Sequence, residues 1–254
     1  MRFTILGSGS KGNATLVQSG STTIMIDCGF TIKESVRRLE LVGIKPAAIT
    51  AILVTHEHGD HISGVGPFAR KFQIPVHMTR GSWVPHRMGK LPQQHLFCSH
   101  TPFTIDKLTI TPFPVPHDAR EPCQFTFESE GKKLGILTDT GMITPHIEAH
   151  LHNCDALILE TNHDLQMLRD GPYPPSLQSR VGSNLGHLNN RQAAALLTKI
   201  NTGQLQHLVA AHLSEQNNSQ QHAIATLSDA CGRPQEQIVV ANQEQGVGWC
   251  EITN

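Results

Sequence analysis

Apolar positions along this chain switch repeatedly between a period of two and a period near 3.6. Residues 3–6, 14–18 and 22–27 form short strand-like runs separated by Gly/Ser turns. Residues 31–42 place Ile32, Val36, Leu39 and Val42 on one helical face, with Gly43 as the stop. The apolar run Ala51-Ile52-Leu53-Val54 predicts a buried strand that ends at a cluster of histidines. A helix is predicted over 62–72, a short strand over 74–77, and sheet over 107–113, 123–129 and 133–138. A second α/β stretch follows. A helix near 143–150 leads to the strand Ala156–Glu160, and the Pro/Gly/Ser-rich residues 171–186 read as an irregular loop. Asn189 or Asn190 caps a helix to Ile200 that shows Ala193, Leu196, Leu197 and Ile200 on one face. The strand His207–Ala211 ends at His212, and a helix near 219–230 and strands near 237–241 and 247–252 complete the pattern. Strands followed by helices in each half predict two packed sheets with helices outside.

Composition adds bounds. The 254 residues contain no linker, repeat or low-complexity segment, so one layered α/β domain over 1–254 is expected. No apolar run approaches the ~20 residues that span a bilayer. Met1–Leu6 enters a strand directly, without an apolar leader region, so a cytoplasmic protein with no membrane partner is expected. The six cysteines, Cys28, Cys98, Cys123, Cys154, Cys231 and Cys250, are far apart in sequence and predict reduced, mostly buried thiols. Histidine is the abnormal count: sixteen, beside 20 Lys+Arg and 21 Asp+Glu. Imidazole is the commonest protein metal ligand, which makes metal chemistry the first question.

The densest cluster is His56-x-His58-x-Asp60-His61, directly after a predicted strand, where ligands gather in α/β architectures. In an extended segment His56 and His58 point the same way, and Asp60 and His61 turn toward a second position. Such a nitrogen and oxygen set suits a borderline divalent ion such as zinc. Gly7-x-Gly9-x-x-Gly12 matches a dinucleotide fingerprint, but Ala14-Thr15-Leu16-Val17 continues as strand where that fingerprint needs a helix N-terminus. A tight turn with backbone N–H groups facing a groove is expected instead. The net charge of −1 is uninformative, but its distribution is not. Residues 62–105 and 171–214 contain no Asp or Glu; the first block carries Arg70, Lys71, Arg80, Arg87 and Lys90, the second Arg180, Arg191 and Lys199. If they share a face, they suit a polyanion.

The run Thr55–His61 resembles the signature of the metallo-β-lactamase superfamily. The rest of that pattern is found in order: His117 in Val115-Pro116-His117-Asp118, Asp139 in Leu137-Thr138-Asp139-Thr140-Gly141, and His212 in Ala211-His212-Leu213-Ser214. The resemblance implies an αββα sandwich, two mixed sheets flanked by helices without a cap domain, and a dinuclear site. His56, His58 and His117 would hold one divalent ion, Asp60, His61 and His212 the other, with Asp139 bridging. The ions implied are Zn²⁺ or Mn²⁺. Leu6-Gly7-Ser8-Gly9-Ser10-Lys11-Gly12-Asn13, Glu160-Thr161-Asn162-His163-Asp164 and Gly186-His187-Leu188-Asn189-Asn190 are similar to the WalJ-type (YycJ-like) family, with Lys11 and Cys28 replacing smaller neutral residues. That likeness implies a 5′–3′ exonuclease acting on nucleic acid, DNA more than RNA. Asp60 would also orient the attacking water, and His187 or His163 would protonate the leaving oxygen. The same metal set serves a small-molecule hydrolase, whether cyclic phosphodiesterase, thioesterase or lactonase, and these remain the alternative.

Overall fold

A computed structural model describes residues 1–253. Strands β1 (Arg2–Gly7), β2 (Ala14–Ser19), β3 (Thr22–Ile26), β4 (Ala51–Leu53), β5 (Val76–Met78) and β6 (Gln94–Leu96) lie in one sheet. Strands β7 (Phe103–Ile105), β8 (Leu108–Pro114), β9 (Cys123–Ser129), β10 (Lys132–Leu137), β11 (Ala156–Glu160), β12 (His207–Ala211) and β13 (Ile238–Val240) form a second. The last strand, β14 (Val247–Glu251), returns to pair antiparallel with β1. Both sheets are mixed and seven-stranded: β3 to β6 run parallel, as do β10 to β13, and antiparallel meanders fill the rest.

Alternation along the strands explains the layering. Phe3, Ile5, Val17, Ile24, Ile26 and Leu53 point from the first sheet into a shared core with Phe125, Phe127, Ile136, Ile158 and Val209 of the second. The intervening Leu6, Leu16, Met25 and Ile52 face outward and are covered by α1 (Ile32–Leu41) and α3 (Val65–Phe72), through Leu39, Phe68 and Ala69. Between these helices lies the short α2 (Gly59–Ile62), and α4 (Pro85–Met88) follows. On the far side, α5 (Pro145–Leu151), α8 (Asn190–Lys199) and α9 (Gln220–Cys231) cover Leu157, Leu159, Leu208 and Ala210. The helices α6 (Leu165–Asp170) and α7 (Pro175–Val181) form a separate wall between β11 and α8. The result is the expected αββα sandwich. No helix of the described residues is long and apolar enough to cross a membrane.

The differences from the sequence reading have local causes. The helix expected over 62–72 begins only at Val65, and Ile62 ends the preceding short α2; Gly64 between them packs so closely on Phe30 and Cys28 that no Cβ fits there. The loop expected over 171–186 contains α7: Pro175 occupies its first turn, where a missing N–H costs nothing. Asn189, not Asn190, caps α8, in a reciprocal capping box with Gln192. All six cysteines are free, as expected, with Cys28, Cys123, Cys154 and Cys250 buried.

The glycine-rich turn after β1 is a packing device. A Cβ at Gly7 would strike the Arg38 guanidinium, and one at Gly12 the Phe30 ring. Its N–H groups do not face a groove as expected. Gly9 N donates to Asn13 Oδ1, Lys11 N to Gln243 Oε1, Gly12 N to Gly9 O and Asn13 N to Asp60 O. Buried Arg38 locks the turn, donating to Leu6 O (2.6 Å), Gln243 O (2.9 Å) and Glu34 Oε1 (2.6 Å) above the Phe30 face. Arg38→Met keeps the apolar stem but strands two buried carbonyls and is expected to destabilise the fold by about 2–4 kcal/mol. Urea unfolding measures this; a loss below about 0.5 kcal/mol would show that the guanidinium does not anchor the turn.

Candidate metal centre

The expected ligands converge at one edge of the sandwich, beyond the C-terminal ends of the parallel strands. His56, His58, Asp60 and His61 follow β4, His117 follows β8, Asp139 follows β10, and His212 follows β12. The glycine after His58 starts α2, so Asp60 and His61 lie on a helical turn that redirects them from the extended His56–His58 segment. Ligating atoms of His56, His58 and His117 lie within 4.8 Å of one another, as do those of Asp60, His61 and His212. Asp139 shares one such set with His56 and His61 and another with Glu160, His187 and His212, so it neighbours both histidine groups. Asp139 and His212 hold positive φ angles, 53° and 55°, which non-glycine residues rarely adopt.

Each imidazole is oriented by a partner on its outer nitrogen. His61 Nδ1 donates to Asp27 Oδ2 at 2.7 Å. Thr55 Oγ1 donates to the same oxygen at 2.7 Å and takes the His56 Nδ1 hydrogen at 2.9 Å. His117 Nδ1 donates to Gly186 O (3.1 Å), and His58 Nε2 to Asp118 O (3.2 Å). His212 Nδ1 (3.1 Å) and His187 Nδ1 (2.7 Å) both donate to Glu160 Oε1. Asn13 Nδ2 steadies Asp60 Oδ2 at 3.2 Å, and Ser8 Oγ accepts the His212 N–H at 2.8 Å. These bonds take up one nitrogen of each ring and turn the other inward, the usual arrangement around a bound cation.

Three of the inward atoms lack protein partners. His56 Nε2, His212 Nε2 and Asp139 Oδ2 are buried without a hydrogen bond, a costly condition that a cation relieves. Burial, reinforced by neighbouring histidines, holds His56 well below the ordinary histidine range. Burial likewise lowers His117. Burial opposes charge on His61 too, but Asp139, Asp27 and Asp60 together hold it well above that range. His212 is also buried, and Asp139, Glu160 and Asp60 raise it to about 9. Glu160 is desolvated as well, yet its pairing with His187 and His212 brings it down to about 2. The donor set fits two divalent ions.

His58, Asp60, His117, Asp139 and His212 line a groove of about 440 Å³, with Ser10, Arg87, Asp118, Tyr173, Arg180 and His187, while His56 and His61 lie buried behind it. Each acid-free block therefore contributes one arginine to it. His187 reaches the groove from the loop after α7. His163 does not, contrary to the sequence reading. It is fully buried, its Nδ1 lies 3.3 Å from Asn162 Oδ1, its backbone bridges to Asn189, and burial drives its imidazole down to about 4. Sequence reasoning passed over Asp27, Glu160, Asp118, Thr55 and Asn13. One signal was available for Glu160: a carboxylate that ends the otherwise apolar, fully buried run of β11 needs strong partners.

Lys11 and Cys28, the departures from the WalJ-type pattern, leave the ligand side chains alone. Lys11 pairs with Glu215 on the surface, and the Cys28 thiol is buried beside Ser35.

Comparison with known proteins agrees with this geometry. A family model described as a beta-lactamase superfamily domain matches residues 22–212. The exodeoxyribonuclease YycJ of Bacillus anthracis is 34% identical over 232 residues, 90% of this chain and 88% of that one. The exodeoxyribonuclease WalJ of Streptococcus pneumoniae is 33% identical, over 89% and 86%. Among solved structures, Zn²⁺-bound PqqB of Methylobacterium extorquens superposes with a TM-score of 0.76 at 16% identity, over 99% of this chain and 100% of that one. The two sheets, the ligands at their shared edge and the match over most of the length place this chain in the metallo-β-lactamase superfamily.

Proposed function

We propose that this chain is a metal-dependent exodeoxyribonuclease that shortens DNA from its 5′ end. The observation that carries the reading is one groove that opens onto residues of both triads, Asp139 and an arginine from each acid-free block. Its likeness to exodeoxyribonucleases over nine-tenths of the chain supports DNA as the polymer; the 5′–3′ polarity is what the resemblance to the WalJ-type family implies. His56, His58 and His117 would hold one ion and Asp60, His61 and His212 the other, with Asp139 between them. The imidazole-rich set suits Zn²⁺, with Mn²⁺ as the alternative. Two such ions would bring a water's pKa from ~15.7 toward neutrality and offset charge on the phosphoryl oxygens.

The chain's own groups do the rest. Asp60 flanks the space between the triads, where it orients the attacking water. His187 lines the groove with Nδ1 bound to Glu160, which leaves Nε2 to carry the proton for the departing sugar oxygen. Arg87, whose Nη1 also donates to Glu57 O, and Arg180 supply charge for the flanking phosphates. The groove's small volume favours the second reading, a hydrolase of cyclic phosphodiesters, thioesters or lactones.

End-labelled duplex and single-stranded DNA, RNA and a cyclic phosphodiester, each assayed with Zn²⁺ and Mn²⁺, separate the two. Stepwise shortening of DNA from the 5′ end, weakening steeply with salt, is expected. Hydrolysis of only the small substrates, indifferent to salt, would overturn the nuclease reading.

His187→Ala is expected to lower kcat on DNA by roughly 10²–10⁴-fold with metal content unchanged. The loss should shrink on a p-nitrophenyl diester, whose leaving group needs no proton. Full activity of the variant at intact metal content would remove His187 from that role.

In the metal-free protein at pH 7, His212 with its pKa of about 9 is protonated, and so is His61. Each must shed a proton to ligate, so metal affinity should rise with pH and level off above about 9. Titrating metal into weakly buffered apoprotein at pH 7 should release ~2 protons for a filled site. Binding without proton release would contradict the assigned ligands.

A further inference from the structure

The groove has two unlike sides. One carries the metal ligands and Arg87. The other is the wall formed by α7 and the turn before it, on which Tyr173, Leu177 and Val181 recur every four residues. Leu177 and Val181 share a face of α7, and Tyr173 stands just before its first turn. All three line the groove and are half-buried, and none belongs to a ligand set. Metal binding therefore does not account for this apolar stripe.

The wall is stiff and fastened to the metal-bearing loops. Tyr173, the chain's one tyrosine, is flanked by Pro172, Pro174 and Pro175, whose rings fix the backbone. Gln178 Nε2 donates to Gly171 O and Arg169 O, tying α7 back to the end of α6. Arg180 Nε donates to Asp118 Oδ2 at 2.6 Å, and Asp118 N to Leu185 O at 3.0 Å, beside the metal-side His117. A rigidly presented aromatic ring loses little freedom when a ligand stacks on it.

The shape and charge of the groove define the occupant. Arginines in a groove with an apolar wall call for a ligand with both an anionic part and a flat apolar part. About 440 Å³ falls near the low end of small-ligand pockets, ~300–1,000 Å³. That suits one nucleotide rather than a length of strand. We propose that Tyr173, supported by Leu177 and Val181, is the platform on which the base of the terminal nucleotide stacks, which makes it a specificity-determining residue for base-bearing DNA ends. This rests on the nuclease reading above.

The test compares kcat and KM on oligonucleotides ending in an ordinary nucleotide or an abasic one, for the wild-type protein, Tyr173→Ala and Tyr173→Phe. The wild type should favour the base-bearing end by about tenfold in kcat/KM, mainly through KM, as expected for one base–aromatic stack. Tyr173→Ala should bring that ratio close to one, and Tyr173→Phe should restore it. An equal preference in wild type and Tyr173→Ala would overturn the platform, as would a uniform loss on both ends, which marks a merely structural role. DNA cleavage by the wild type with no base preference would sink the platform alone. No DNA cleavage at all would sink the nuclease reading and the platform with it.

Discussion

One buried carboxylate, Asp27, sets up the metal centre. Its Oδ2 receives hydrogen bonds from His61 Nδ1 and Thr55 Oγ1, and its Oδ1 receives the Thr55 N–H. Because the Thr55 hydroxyl hydrogen is committed to Asp27, its oxygen must accept from His56 Nδ1. A single side chain therefore orients two histidines, one in each triad, and turns both Nε2 atoms inward. Asp27 holds a φ of 58° directly after β3, a position that few residues other than Asn, Asp or Gly tolerate. Glu160 does the corresponding work from the other sheet, at the end of β11. The site is thus held by two buried carboxylates, one directly after a strand of the first sheet and one ending a strand of the second.

The site consequently depends on both sheets. The first supplies Asp27 and the His56–His61 cluster. The second supplies His117, Asp139, Glu160, His187 and His212. Each parallel block ends at the same edge, so loops distant in sequence meet there. The cost is electrostatic. Asp27, Asp60, Asp139 and Glu160 share an enclosure with a histidine cluster, and the strained φ angles of Asp139 and His212 add to it. A cation that binds only the folded arrangement offsets this cost and ties metal occupancy to fold stability.

The candidate ligands were legible because the His56–His61 cluster is dense and because the resemblance to the superfamily pattern led to His117, Asp139 and His212 in order; His56, Asp139 and His212 each follow an apolar run that announces a buried strand. The supporting carboxylates were less legible. Asp27 looks like an ordinary turn residue, and nothing in its neighbours shows that it faces Thr55. His163 and His187 were indistinguishable in sequence, each polar and close to an element boundary. Tertiary packing separates them: His163 O is tied to Asn190 N, which turns its ring inward, while His187 is carried on the loop that follows α7. The Pro-rich residues before α7 looked irregular because prolines punctuate loops, yet Pro175 is also a helix start, and only packing decides between the two.

Glu160 Oε1 carries one further consequence. The same oxygen accepts from His212 Nδ1, on the metal side, and from His187 Nδ1, on the groove side. Its second oxygen is occupied by the N–H groups of Thr140 and Leu188, so the carboxylate cannot rotate to serve one histidine alone. Any change of charge on His212 must therefore alter the bond that holds His187. In the proposed enzyme, a cation held by His212 would act through Glu160 on His187, the proposed proton donor. The two histidines are in this way one hydrogen-bonded unit, and the pivot between them is fully buried.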